Sequence, residues 1–174
     1  NILRFSGFVQ IIMGLLATST ILLYNSTFDM MALLMSALQR NEEGYTFFLF
    51  GSHFIAFLVM VPTTFMAGMT LPLFTYSYMK QGQGERGIGR IYSANTLGSI
   101  IGIFIAVHYV MPLLGLQNLI ALGSLVDILL GFVLIYMGTG KQFNMRTASV
   151  FAITGMIFIT VNIVASFDKA KMAS

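Results

Sequence analysis

"GQGERGIGRIYSANTLGSIIGIFIAVHYV", residues 82–110, admits two readings that lead to different folds. Its first six letters spell G-x-G-x-x-G, the fingerprint of a dinucleotide-binding turn. That turn works when a strand delivers the chain to it and a helix points its amino end at the pyrophosphate. Here the preceding segment, ending Tyr78-Met79-Lys80, is apolar and far too long for a strand, and no suitable acidic residue follows about 20 positions on. No βαβ unit surrounds the glycines. The match is coincidental, and the loop reads as a connector. The apolar run that follows it decides the fold instead.

Composition agrees with that choice. Of the 174 residues, 57% are hydrophobic and only 9% are charged, and the mean hydropathy is +0.86. Soluble domains carry about 25% charged residues, so this chain is too poor in charge to cover a water-facing surface. The net charge of +3 comes from scattered residues and forms no basic stripe for nucleic acid. The absence of cysteine excludes disulfides, thiolate nucleophiles and cysteine-ligated metals, and leaves the redox compartment unread.

A helix needs about 20 mostly apolar residues to cross the hydrocarbon core. Five stretches qualify: 5–24, 47–70 with an extension to 78, 91–111, 117–137 and 148–166. The expected fold is an all-α transmembrane bundle in a single domain, residues 1–174. Residues 25–46 form an outer connection whose apolar part, 28–38, is too short to span and suits the membrane interface. Segments 79–90 and 138–147 carry Lys80, Arg86, Arg90, Lys141 and Arg146, and Arg4 precedes the first span. Because cytoplasmic loops collect Lys and Arg, these loops and the amino terminus are expected in the cytoplasm. Five spans then leave Lys169 and Lys171 outside, against the same rule. All seven tyrosines (24, 45, 76, 78, 92, 109 and 136) fall near span ends or in flanking loops, where ring and hydroxyl suit the headgroup level.

Within the spans, Ala94, Gly98, Gly102 and Ala106 recur every four residues and make one smooth helical stripe, with Asn95 and Thr96 beside it. In lipid, small-xxx-small faces let helix backbones approach closely. Pro62 and Pro72 each remove a backbone donor and crowd the carbonyl four residues earlier, at Leu58 and Gly68. A kinked or broken second span follows, with Thr63, Thr64 and Thr70 available to satisfy freed groups. Broken helices build transporter sites, but they also serve packing, which ranks first here.

Asp127 sits mid-span, where an aspartate costs about 2.5–3.5 kcal/mol on insertion scales. Gly123, Ser124 and Gly131 share its face. Two roles remain open: a proton or cation site, or a protonated carboxyl hydrogen-bonding a neighbouring helix. His53 and His108 fall toward the non-cytoplasmic ends of their helices, yet zinc normally takes four ligands and no Cys or i,i+4 partner accompanies them. Gln10, on one face with Gly7, Gly14 and Ala17, and Asn162 read as interhelical glue. The 13 methionines are spread without regular pairing, which suits packing better than a copper path.

"GRIYSANTLGSIIG" (Gly89–Gly102) resembles the Gly-Arg-x-Tyr-x-x-Asn-Thr-x-Gly-x-x-x-Gly signature of polytopic membrane proteins fused to a spermidine-synthase-like domain. "GMTLPLF" (Gly68–Phe74) is similar to the Gly-Ala-Thr-x-Pro-Leu segment that family places one helix earlier. "MPLLGLQNL" (Met111–Leu119) is similar to its Leu-Pro-x-x-Gly-Leu turn. The three motifs cover residues 62–127; the flanks resemble the family only in being hydrophobic. The resemblance implies a membrane domain from a longer chain in the bacterial cytoplasmic membrane, with further helices upstream and an aminopropyltransferase-like domain downstream. The family's catalytic acids and its decarboxylated S-adenosylmethionine site belong to that downstream domain, so no catalytic, cofactor or metal residue carries over. Relatives often have asparagine where Asp127 stands, which favours its hydrogen-bonding role.

The expected function is therefore a membrane anchor or packing scaffold whose partners are the bilayer and other transmembrane helices. The alternatives are an accessory subunit of a larger membrane complex, and a transporter of a polyamine or small cation countered by Asp127.

Overall fold

The computed structural model describes residues 2–37, 42–80, 82, 84–140 and 145–172. These residues are helical apart from turns at Lys80, Gly82, Thr139 and Gly140. In chain order the elements are α1 (Ile2–Ala37), α2 (Glu42–Met79), α3 (Gly84–Ile105), a π-helical segment (Ala106–Val110), α4 (Met111–Gly138) and α5 (Met145–Met172). Four stretches, Ile2–Leu23, Glu42–Met79, Gly84–Gly138 and Thr147–Val164, are helical, long and apolar enough to cross a membrane.

α1 is longer than the first apolar stretch. No Gly or Pro occurs between Gly14 and Gly44, so nothing breaks the helix after residue 24. The Thr27 hydroxyl bonds back to the Leu23 carbonyl at 2.7 Å, and the helix runs on to Ala37. Residues 25–37 thus extend α1 rather than forming a separate interfacial helix. Leu34 on this extension lies over Gly51 of α2, where an added Cβ would come within 2.6 Å of its Cδ2. At the other end of the outer connection, residues 42–46 already belong to α2.

α2 continues as one helix through both Pro62 and Pro72. The Thr64 hydroxyl bonds to the carbonyls of Met60 and Val61, and that of Thr70 to the carbonyl of Ala67. Both hydroxyls thus bind carbonyls other than Leu58 and Gly68, the two the proline rings crowd. Thr63 Oγ1 is buried without a protein partner.

The glycine-rich connector is a helix-to-helix turn. Gly82 adopts φ +80° and Gly84 φ +57°, conformations that cost glycine little. The Gly82 amide closes the end of α2 by bonding the Met79 carbonyl at 3.0 Å. A helix, not a strand, therefore delivers the chain to the G-x-G-x-x-G letters.

The main departure from regular helix lies between α3 and α4. In the π-helical segment the Met111 amide bonds the Ala106 carbonyl, five residues back. Four residues later Gly115 takes φ 79°, ψ 168°, a region open essentially to glycine alone. The bend falls in the Pro-x-x-Gly stretch of the third motif. α3 and α4 do not pack on each other.

α1 packs most extensively on α4, then on α2 and α5; α3 rests on α2 alone apart from the π-helical segment. α1 runs antiparallel to both α4 and α2. Arg4 meets Gly138, and Leu3 lies near Ser77, Tyr78 and Ile91. One end of the molecule thus gathers the starts of α1 and α3 and the ends of α2 and α4.

Candidate functional site at the α1 and α4 seam

Two helices approach closely only where no side chain intervenes. Gly7 and Gly14 on α1, and Ser124, Gly131 and Gly138 on α4, repeat every seven residues, a two-turn spacing that keeps each set on one face. A Cβ on Gly7 would lie 2.7 Å from the Gly131 carbonyl oxygen, and one on Gly131 2.8 Å from that of Gly7. Gly14 stands against the Ser124 carbonyl in the same way, at 2.8 Å. Ile11, Ile128 and Ile135 fill the flanks and are buried.

Polar groups in this seam are satisfied locally. The Ser6, Thr18 and Ser124 hydroxyls, all on buried residues, donate to carbonyls of their own helices at Ile2, Gly14 and Ala121. The exception crosses between helices. The Gln10 amide donates to Asp127 Oδ1 at 2.8 Å. Gln10 is 7% exposed and Asp127 is half-buried. At the end of the seam, Arg4 Nε donates to the Gly138 carbonyl at 3.0 Å. A cation is thereby placed at the carboxyl end of α4, where the helix dipole favours it.

The other candidate polar residues stand apart from this pair. His53 Nδ1 lies 2.6 Å from the Leu49 carbonyl and His108 Nδ1 3.1 Å from that of Phe104. His108 also stacks on the Phe104 ring at 4.5 Å. Both histidines are exposed, and α2 does not touch the π-helical segment that carries His108, so the two are not brought together. Among the described residues no three His, Cys, Asp or Glu side chains cluster as a metal site would need. Asn162 donates to its own helix, at Phe158, and makes no bridge to a neighbour there.

The stripe Ala94, Gly98, Gly102, Ala106 lies on α3. Ala94, Asn95, Gly98 and Gly102 are exposed and Ala106 is half-buried. A Cβ on Gly98 or Gly102 would meet nothing within 4 Å. The close glycine contact runs through α1 and α4 instead. Its sequence signal was the seven-residue recurrence of Gly and Ser, which is less conspicuous than a four-residue one.

A second feature joins two of the sequence motifs. A cavity of about 400 Å³ opens between α1, α2 and α3. Thr70, Leu71, Phe74, Ser77 and Tyr78 line it from α2. Ile91, Ala94 and Asn95 line it from α3, and Leu3 closes it from α1. Thr70, Leu71 and Phe74 come from "GMTLPLF", and Ile91, Ala94 and Asn95 from "GRIYSANTLGSIIG". The wall is mostly apolar, with the Thr70, Ser77 and Asn95 polar groups set into it.

No family model, curated protein or solved structure matches the chain.

Proposed function

We propose that this chain is a membrane-embedded helical domain acting as an anchor and packing scaffold, of the kind its motifs resemble in spermidine-synthase-like membrane proteins. The observation that carries the reading is the outward surface. Phe50, Phe65, Ile103 and Leu113 are each 65–79% exposed, on helices long and apolar enough to span. Soluble monomers rarely expose contiguous apolar surface beyond a few hundred Å², and a bilayer is the solvent that suits such a wall. The interior supports the same reading. Its closest helix contacts are made at glycine, with serine and threonine hydroxyls bonded within their own helices and isoleucine beside them, the packing that works where the hydrophobic effect cannot drive helices together.

Asp127 fits the scaffold better than a transport path, because its carboxyl accepts the Gln10 amide across the tightest helix pair. A second reading, an accessory subunit of a larger complex, is favoured by one observation: the smooth face of α3 has nothing against Gly98 and Gly102.

Flotation with liposomes after alkaline carbonate washing tests the membrane placement. The chain should float with the lipid; recovery in the wash would overturn the reading. Polyamine uptake into proteoliposomes tests the role. A scaffold gives none, whereas uptake abolished by Asp127→Asn would replace it with the transporter.

A further inference from the structure

From the cavity between α1, α2 and α3 and the charges at its end, we infer that the chain holds one anionic phospholipid there. The headgroup lies against Lys80, Arg86 and Arg90, and an acyl chain enters the cavity. This rests on the membrane reading above.

Helical geometry aligns the parts. Arg86 and Arg90 precede Ala94 at four-residue intervals, so all three share one face of α3. Ala94 is a wall of the cavity. Arg90 therefore stands one turn beyond that wall, toward the end of the bundle where Lys80 closes α2. All three cations are exposed, and among the described residues none has an ion pair or hydrogen bond from its side chain. Glu85 is the nearby acid in sequence, leaving an excess of positive charge. Basic pockets between transmembrane helices on the cytoplasmic side are suited to anionic headgroups.

The depth profile matches a phospholipid rather than a free anion. Asn95 lies five residues below Arg90, about 7.5 Å along the helix axis. Asn95 lines the cavity, and its carboxamide has no hydrogen-bond partner among the described residues. It is placed to donate to an ester carbonyl below a bound phosphate. Deeper still the wall is Phe74 and Leu71 of α2, with the Thr70 hydroxyl bound to its own helix at Ala67, which suits hydrocarbon and would give inorganic phosphate nothing. Tyr78 contributes an aromatic ring near the headgroup level.

Native mass spectrometry of the purified chain, titrated with phosphatidylglycerol, phosphatidylcholine of the same acyl chains, or inorganic phosphate, tests the site. Wild type should retain one phosphatidylglycerol in preference to phosphatidylcholine, and phosphate should not displace it. Each basic charge removed should weaken retention about fivefold, so Lys80→Gln with Arg90→Gln should lose about thirtyfold. Ala94→Phe fills the cavity and should abolish retention with all three cations intact. The exposed charge pair keeps the test decisive if Ala94→Phe does not fold. Equal retention of both lipids, wild-type retention by the charge variant or by folded Ala94→Phe, or displacement by phosphate would each overturn the inference. Failure of the membrane reading is seen separately, as a chain that does not float with liposomes.

Discussion

Gln10 and Asp127 show how a costly residue is accommodated in an apolar helix. Gln10 is buried at the glycine seam and donates across it to Asp127 Oδ1, so each polar group gives the other a partner that the apolar side chains around them would not. An asparagine at 127 keeps an acceptor oxygen in the same place. Asp127→Asn should therefore leave stability within about 0.5 kcal/mol of wild type, since interhelical bonds of this kind average about 0.6 kcal/mol. Asp127→Leu strands the buried amide of Gln10 and should cost at least about 1 kcal/mol. Reversible unfolding in mixed micelles measures both. Equal losses for Asn and Leu would mean that the charge, not the hydrogen bond, matters at 127. Each residue was conspicuous in the sequence, with its own small neighbours: Gly7 and Gly14 beside Gln10, Ser124 and Gly131 beside Asp127. Their pairing was not, because helical periodicity says which face a residue occupies and nothing about which distant helix meets that face.

Helix α3 and the seam of α1 with α4 carry the same kind of small residue and differ in what stands opposite. At Gly7 and Gly131 an added methyl would meet backbone carbonyl oxygen at 2.7 and 2.8 Å, and backbone cannot swing aside as a side-chain end can. Gly7→Ala and Gly131→Ala should each push α1 and α4 apart and cost about 1–3 kcal/mol, the usual range for overpacking. Gly98→Ala has open space around it and exchanges a poor helix former for the best one. It should leave the monomer's stability unchanged or raise it by up to about 1 kcal/mol. Thermal unfolding of the three single variants compares them directly. A loss at Gly98 equal to that at Gly131 would mean that a further helix covers the α3 stripe, which is the expectation of the accessory-subunit reading. Pattern alone ranked α3 first because its four-residue stripe is continuous. The seven-residue recurrence on α1 and α4 is sparser, and its importance depends on two helices meeting in register. The run of α1 past residue 24 was also hidden: the drop in hydropathy there marks where an apolar stretch ends, not where the helix does, and no Gly or Pro stands there to interrupt it.

At the scale of the molecule, the five apolar stretches fall on α1 to α5, with α3 and α4 joined through the π-helical segment so that four helical stretches are long and apolar enough to cross a membrane. The end that gathers Arg4, Lys80, Arg86 and Arg90 is set by contacts, since Arg4 bonds Gly138 and Leu3 shares a cavity with Tyr78 and Ile91. Its composition is what the positive-inside rule assigns to the cytoplasm. Two independent lines, charge along the chain and packing in space, thus pick out the same end. Glu85, in the first turn of α3, belongs to that end, and Glu43, in the first turn of α2, to the opposite one. Because the chain has no cysteine, Glu85→Cys and Glu43→Cys each report through a single thiol against no background. In sealed right-side-out vesicles, a membrane-impermeant maleimide should label Glu43→Cys and spare Glu85→Cys until the vesicles are opened. The opposite pattern would invert the topology and move the basic cavity to the outer leaflet. Labelling of both before opening would mean that the apolar wall of α2 and α3 does not separate two compartments, and the membrane reading would fall with it.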